Sequence, residues 1–140
     1  MTELYLLDKS ALARVALHPT VQAAMERLDD IGALATTAVI DLQIGYSART
    51  LAEFDSIASD RAHLYQDLPL TRAVTDRARH VQRELAKRGR HRGPGVPDLL
   101  IAATGEVYGA VVVHYDRDFD TIAAITGQPV EWIVPAGSVP

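Results

Sequence analysis

The 140-residue sequence contains no cysteine. That absence excludes disulfides, thiolate zinc sites, iron–sulfur ligation and a cysteine nucleophile, and it is compatible with a reducing cytoplasm. Any metal ion must therefore be held by oxygen or imidazole. Long apolar runs are missing too: short stretches such as Ala110–Val113 fall far below the roughly 18 to 20 residues that cross a bilayer, so a membrane span is excluded. The opening residues Met1-Thr2-Glu3-Leu4-Tyr5 carry an acid where a secretory signal needs positive charge, and a cytoplasmic protein is expected. Positive charge is not in excess. Fourteen Lys and Arg against 18 Asp and Glu give a net charge of −4, which removes any global electrostatic argument for nucleic acid. No phosphate-binding loop, nucleophile elbow or dinucleotide glycine fingerprint occurs, and Gly93-Pro94-Gly95 reads as a turn. The five histidines (His18, His63, His80, His91 and His114) form no i, i+4 ligand pair, which favours surface or packing roles for them.

What is present is enough apolar residue, 48% of the chain, to bury one core, so a single domain spanning residues 1–140 is expected. No internal repeat, linker or low-complexity tract interrupts it. Leu4–Leu7 reads as a strand ended by Asp8, and Ser10 then precedes helix-forming Ala-Leu-Ala-Arg-Val. His18-Pro19-Thr20 breaks the chain, Val21, Met25 and Leu28 recur at helical spacing, and Ala33–Thr36 is a second strand. Helices on either side of a break near Ser47–Thr50 follow, the first containing Asp41. Leu68-Pro69-Leu70 reads as a short extended segment. Thr71 caps a helix whose Val74, Ala78, Val81 and Leu85 share one face. That helix runs into the basic segment Lys87-Arg88-Gly89-Arg90-His91-Arg92, and then into a glycine- and proline-rich loop that ends at Asp98. A helix with Leu99, Ala102, Ala103 and Val107 leads to the strand Ala110–Val113, which delivers Asp116. A last helix through Phe119 and Ile122 leads to the strand Val130–Val134, and the tail 135–140 is expected to be loose. Strands alternating with helices predict an α/β fold of three layers, α/β/α, around a mainly parallel sheet of about five strands.

In such a sheet, ligands bind beyond the carboxyl ends of the strands, where the strand order reverses. Asp8 and Asp116 each follow an apolar strand, Asp98 and Asp118 sit at helix starts, and Asp41 lies close enough to reach the same edge. Carboxylates gathered there must either take up protons or hold a cation. With oxygen ligands alone, Mg²⁺ is the natural ion and Mn²⁺ an able substitute. Each acid also has an ordinary reading: Asp8 and Asp98 as helix caps, Asp120 as a solvated side chain. The set stands out because three separate junctions each present an aspartate. The run Lys87, Arg88, Arg90 and Arg92, leading straight to Asp98, is either a solvated loop or a set of phosphate contacts beside the metal.

Four segments, in order along nearly the whole chain, resemble PIN-domain ribonucleases, and more narrowly VapC-type toxins of type II toxin–antitoxin pairs. These are Leu6-Leu7-Asp8-Lys9-Ser10-Ala11, Asp41-Leu42-Gln43-Ile44-Gly45, Pro97-Asp98-Leu99-Leu100-Ile101-Ala102-Ala103 and Val113-His114-Tyr115-Asp116-Arg117-Asp118-Phe119. The resemblance implies a metal-dependent endoribonuclease that inhibits translation and growth. It implies catalytic roles for Asp8, Asp41, Asp98, Asp116 and Ser10, with metal ligation by Asp8, Asp98, Asp116 and Asp118. Ser10 would orient the first acid and the scissile phosphate, and the product would carry a 3′-hydroxyl. A VapB-type antitoxin, an RNA substrate and a homodimer are the implied partners. Two positions depart from the family pattern: Asp41 is one methylene shorter than the usual glutamate, and His114 stands where Thr or Ser is common.

Other classes fit less well. Asp116-Arg117-Asp118 after a strand resembles the nucleophile motif of haloacid dehalogenase phosphatases, but that motif opens its domain and here it comes near the end. A receiver domain would show paired acids after its first strand and a late lysine, and no lysine follows Lys87. A catalytically silent PIN-like binding module is the remaining alternative, and activity with added metal separates it from the enzyme.

Overall fold

A computed structural model describes residues 2–140. Its framework is a sheet of five strands: β1 (Glu3–Leu7), β2 (Gly32–Thr36), β3 (Gln66–Asp67), β4 (Val111–His114) and β5 (Val130–Trp132). Every pairing is parallel and the strand order is β3-β2-β1-β4-β5. The helices are α1 (Lys9–Val15), α2 (Pro19–Ile31), α3 (Ala38–Tyr46), α4 (Leu51–Leu64), α5 (Arg72–Lys87), α6 (Val96–Tyr108) and α7 (Arg117–Thr126).

Side-chain alternation along the strands builds two cores. Leu6 and Val112 enter one, with Val74, Ala78, Val81 and Leu85 of α5, Ile101 of α6, and Phe119 and Ile122 of α7. Tyr5, Leu7, Val111 and Val113 enter the other, with Ala11 of α1 and Val21 and Leu28 of α2. Strands buried on both faces must be nearly continuous apolar runs, as β1 and β4 are. Helix α6 packs unusually close to the sheet: a Cβ on Gly105 would lie 2.7 Å from Val112 Cγ2, so only glycine permits the approach. That close packing holds the start of α6, and hence Asp98, at the sheet edge.

The chain enters at β1, fills one side through β2 and β3, then crosses to β4 and β5 on the other. The reversal falls between β1 and β4, which pair as Tyr5 with Val111, Leu6 with Val112 and Leu7 with Val113. It is there that a parallel sheet opens a crevice.

One strand is added and one expectation is corrected. The third strand, Gln66–Asp67, lies just before the extended segment Leu68–Leu70. Leu68 still donates its N–H to the Thr36 carbonyl at 2.8 Å, but Pro69 has no N–H to continue the ladder. The tail is not loose: the Tyr115 hydroxyl donates to the Val139 carbonyl at 2.7 Å, and Arg14 Nε donates to the Pro140 carbonyl at 3.0 Å. Arg14 also lies over the Tyr115 ring, 4.3 Å from its centroid.

Candidate active site

Asp8 follows β1 directly and caps α1. Its Oδ2 accepts the Ser10 N–H at 2.9 Å, its own N–H donates to the Val113 carbonyl at 2.9 Å, and it is only 4% exposed. One chain turn is thus tied across β1 and β4. The Ser10 hydroxyl accepts the Tyr115 N–H at 2.8 Å, which binds α1 to the turn after β4. That turn carries Asp116, the cap of α7, whose Oδ1 accepts the Asp118 N–H at 2.9 Å. Asp98 comes from the first turn of α6, where its Oδ2 accepts the Gly95 N–H at 3.0 Å. Capping and site formation are one geometry here: the residue type that satisfies a helix start also points a carboxylate into the crevice.

One carboxylate oxygen from each of Asp98, Asp116 and Asp118 lies within 4.8 Å of the other two. The cost of that gathering is visible in their acidities. Burial pushes the Asp98 carboxyl up to about 6; the Gly95 N–H opposes the shift, while the charges of Asp116, Asp8 and Asp118 add to it. Asp118 is also raised, first by burial and then by Asp116. Asp8 thus acts on the cluster electrostatically, although its oxygens are not among the three that converge. Acids that take up protons when no cation is present are what a divalent ion would discharge, and a donor set made only of carboxylate oxygen suits Mg²⁺ or Mn²⁺. No imidazole competes, because His114 turns its Nδ1 to the Asp116 N–H.

Asp41 is placed differently. From the first turn of α3 its Oδ1 accepts the Thr36 hydroxyl at 2.8 Å and Arg61 Nε at 3.0 Å, while a second Arg61 nitrogen donates to the Thr36 hydroxyl at 2.8 Å. The structure therefore brings Asp98, Asp116 and Asp118 together, sets Asp8 beside them, and engages Asp41 with an arginine from α4. Asp120 is not simply solvated: half exposed, its Oδ2 accepts the Trp132 indole N–H at 3.0 Å. Arg61 and Trp132 escaped the sequence reading, and His114 was noticed there only as a departure from the family pattern. Arg61 reaches Thr36 across 25 residues and Trp132 reaches Asp120 across 12, distances at which periodicity carries no signal.

The PIN-domain family profile matches residues 5–125, a span that contains all of these acids. The chain belongs to the PIN-domain family. Ribonuclease VapC51 of Mycobacterium tuberculosis is 47% identical to this PIN domain over 145 aligned positions, covering 96% of each chain. Ribonuclease VapC21 of the same organism is 43% identical over 138 positions, covering 99% of each. Among solved structures, VapBC-1 of nontypeable Haemophilus influenzae superposes with a TM-score of 0.77 at 15% identity, over 93% of this chain and 98% of that one. VapBC2 of Rickettsia felis, bound to a DNA fragment from its promoter, gives 0.76 at 16% identity, over 91% and 97%. At such low identity the two structures share the fold with this chain.

The basic segment of the PIN domain divides in two. Lys87 pairs with Glu84 at 2.9 Å, and Arg88 reaches the Glu84 carbonyl at 3.3 Å, so both are tied back to α5. Arg90 and Arg92 make no ion pair among the described residues. Arg88 and Arg90 line a shallow cleft of about 400 Å³ against Thr121, Ala124 and Ile125 of α7, the helix that begins at the acidic cluster.

Proposed function

We propose that this PIN domain is a metal-dependent endoribonuclease, the toxin of a type II toxin–antitoxin pair. It would act in the cytoplasm, and no described helix is long and apolar enough to cross a membrane. The observation that carries the reading is the convergence of Asp98, Asp116 and Asp118, with Asp8 beside them, at the point where the sheet order reverses. The VapC ribonucleases aligned over nearly the whole chain supply the substrate class.

In this reading Asp98, Asp116 and Asp118 hold Mg²⁺ or Mn²⁺, with Asp8 completing the negative wall. The bound ion would supply charge stabilisation to the phosphoryl centre and lower the pKa of the attacking water. The protein's own contribution is placement. Ser10 locks the Asp8 turn against the Tyr115 turn, and backbone N–H groups at helix starts keep the carboxylates of Asp8, Asp98 and Asp116 aimed. Asp41, held by the Thr36 hydroxyl and Arg61, is assigned a catalytic part. Acids alone repel a polyanion, so Lys87, Arg88, Arg90 and Arg92 are assigned to the RNA backbone, with Arg90 and Arg92 foremost. The partners are an RNA, a VapB-type antitoxin and a second copy of the chain.

The test is cleavage of total RNA with Mg²⁺ or Mn²⁺. Asp98→Asn keeps the size and the acceptor for the Gly95 N–H but removes the charge. At least a hundredfold loss, about 3 kcal/mol of barrier, is expected in a folded protein, and Asp8→Asn should behave alike. Metal-dependent cleavage surviving in both variants would refute the site.

A further inference from the structure

His114, the last residue of β4, is completely buried. Its Nδ1 accepts the Asp116 N–H at 3.1 Å, one of the amides that a helix start leaves without a partner. A ring nitrogen that accepts carries no proton, so the proton of the neutral ring sits on Nε2. That Nε2–H is itself buried and has no hydrogen-bond partner among the described residues. Asp120 Oδ1 lies 3.7 Å away, outside hydrogen-bond range. The ring is wedged between Phe119 and Trp132, at centroid distances of 5.2 and 5.0 Å, and the Trp132 indole is in turn fixed by its N–H bond to Asp120.

A buried imidazole with an orphaned donor destabilises the fold, and an apolar residue of similar volume would pack there without that cost. What an apolar residue lacks is the acceptor. The acceptor heads a chain of bonds at two-residue steps: His114 Nδ1 takes the Asp116 N–H, and Asp116 Oδ1 takes the Asp118 N–H. Both of the latter residues contribute to the three-oxygen cluster.

We propose that His114 is a positioning residue of the acidic site: its bare Nδ1, held in place by the Trp132–Asp120 bracket, fixes the turn that presents Asp116 and Asp118 to the cation. This rests on the metal reading above. Outer-shell hydrogen bonds of this kind are worth about ten- to a hundredfold in metal affinity.

Mn²⁺ binding, followed by electron paramagnetic resonance, is compared in the wild type, His114→Leu and His114→Asn. Hydrogen exchange of the Asp116 amide is measured on the metal-free proteins. His114→Leu fills the space without an acceptor. It should weaken Mn²⁺ binding about ten- to a hundredfold and expose the Asp116 amide to faster exchange. In His114→Asn the side-chain oxygen takes the place of Nδ1 and should keep both within about threefold of wild type. His114→Leu matching the wild type in both readouts overturns the proposal, as does His114→Asn losing as much as His114→Leu while both melt near the wild type. A wild type that binds no Mn²⁺ overturns the metal reading and the proposal together, a result distinct from undiminished binding in the variant. Should His114→Leu not fold, Trp132→Phe frees Asp120 from the indole; a two- to fivefold loss of Mn²⁺ affinity, roughly, is expected, and no change overturns the proposal.

Discussion

Asp98 answers to two opposing demands. Its place in the cluster requires a charge at neutral pH, yet burial and the neighbouring Asp116, Asp8 and Asp118 carry its pKa up to about 6, from 3.8 in an unfolded chain. A carboxyl whose pKa is raised by folding favours the folded state at low pH. That contribution is complete below about pH 3.8, is lost as the pH rises through about 6, and leaves a standing cost above it. Partial exposure limits the cost to the order of 1 to 2 kcal/mol. Asp98→Asn removes the charge and keeps the acceptor for the Gly95 N–H. Without metal, it should melt about 3 to 6 °C above the wild type at pH 7.5 and alongside it at pH 4. Mn²⁺ should raise the melting temperature of the wild type and leave the variant nearly unmoved. A variant less stable than wild type at pH 7.5 in chelator would show that the charge is not a burden. Asp98 was legible in the sequence because Gly95 and Pro97 mark a helix start, and Asp8 and Asp116 because each ends an apolar strand. The bonds around Arg61 and His114 were not, since each depends on which face of a helix or strand meets a segment far away in the chain.

At the scale of elements, amphipathic α5 was the clearest helix, and the four apolar residues of its one face, Val74, Ala78, Val81 and Leu85, are all buried. Helix α4 shows the limit of such patterning: it buries no residue fully, so its apolar positions marked a helix but not a core face. The basic segment after α5 illustrates a second limit, because charges identical in the sequence are unequal in the fold. Lys87 and Arg88 spend their charge on Glu84, whereas Arg90 and Arg92 have no such partner among the described residues. Replacing Arg90 and Arg92 with Gln should lower the log–log salt slope of single-stranded RNA binding by about one to one and a half units, and Lys87→Gln with Arg88→Gln by less. Fluorescence anisotropy in an Asp98→Asn background measures the slope without cleavage. Equal slopes in all three proteins, the Asp98→Asn background and the two double variants, would return the segment to a solvated loop.

At the scale of the whole molecule, the acidic crevice leaves unexplained an apolar groove of about 710 Å³ between α3 and α4. A Cβ on Gly45 would meet Phe54 at 2.9 Å, so the two helices approach closely there. Leu42 (74% exposed), Tyr46 (90%) and Phe54 (46%) are left in water along it, and Arg61 and Asp41 also line it. Large contiguous apolar surface marks a partner site, and under the proposed function the groove is expected to receive the antitoxin. Because Leu42 and Tyr46 bury little, Leu42→Asp with Tyr46→Asp should leave the fold and RNA cleavage within about twofold of wild type. Inhibition by a co-expressed antitoxin should be lost, since two charges would have to be desolvated against an apolar partner. Sedimentation separates the two partners assigned to the chain. Wild type and variant should both run at about twice the mass of one chain if self-association uses another face, whereas a variant falling to a single chain while antitoxin still inhibits it would make the groove the dimer interface.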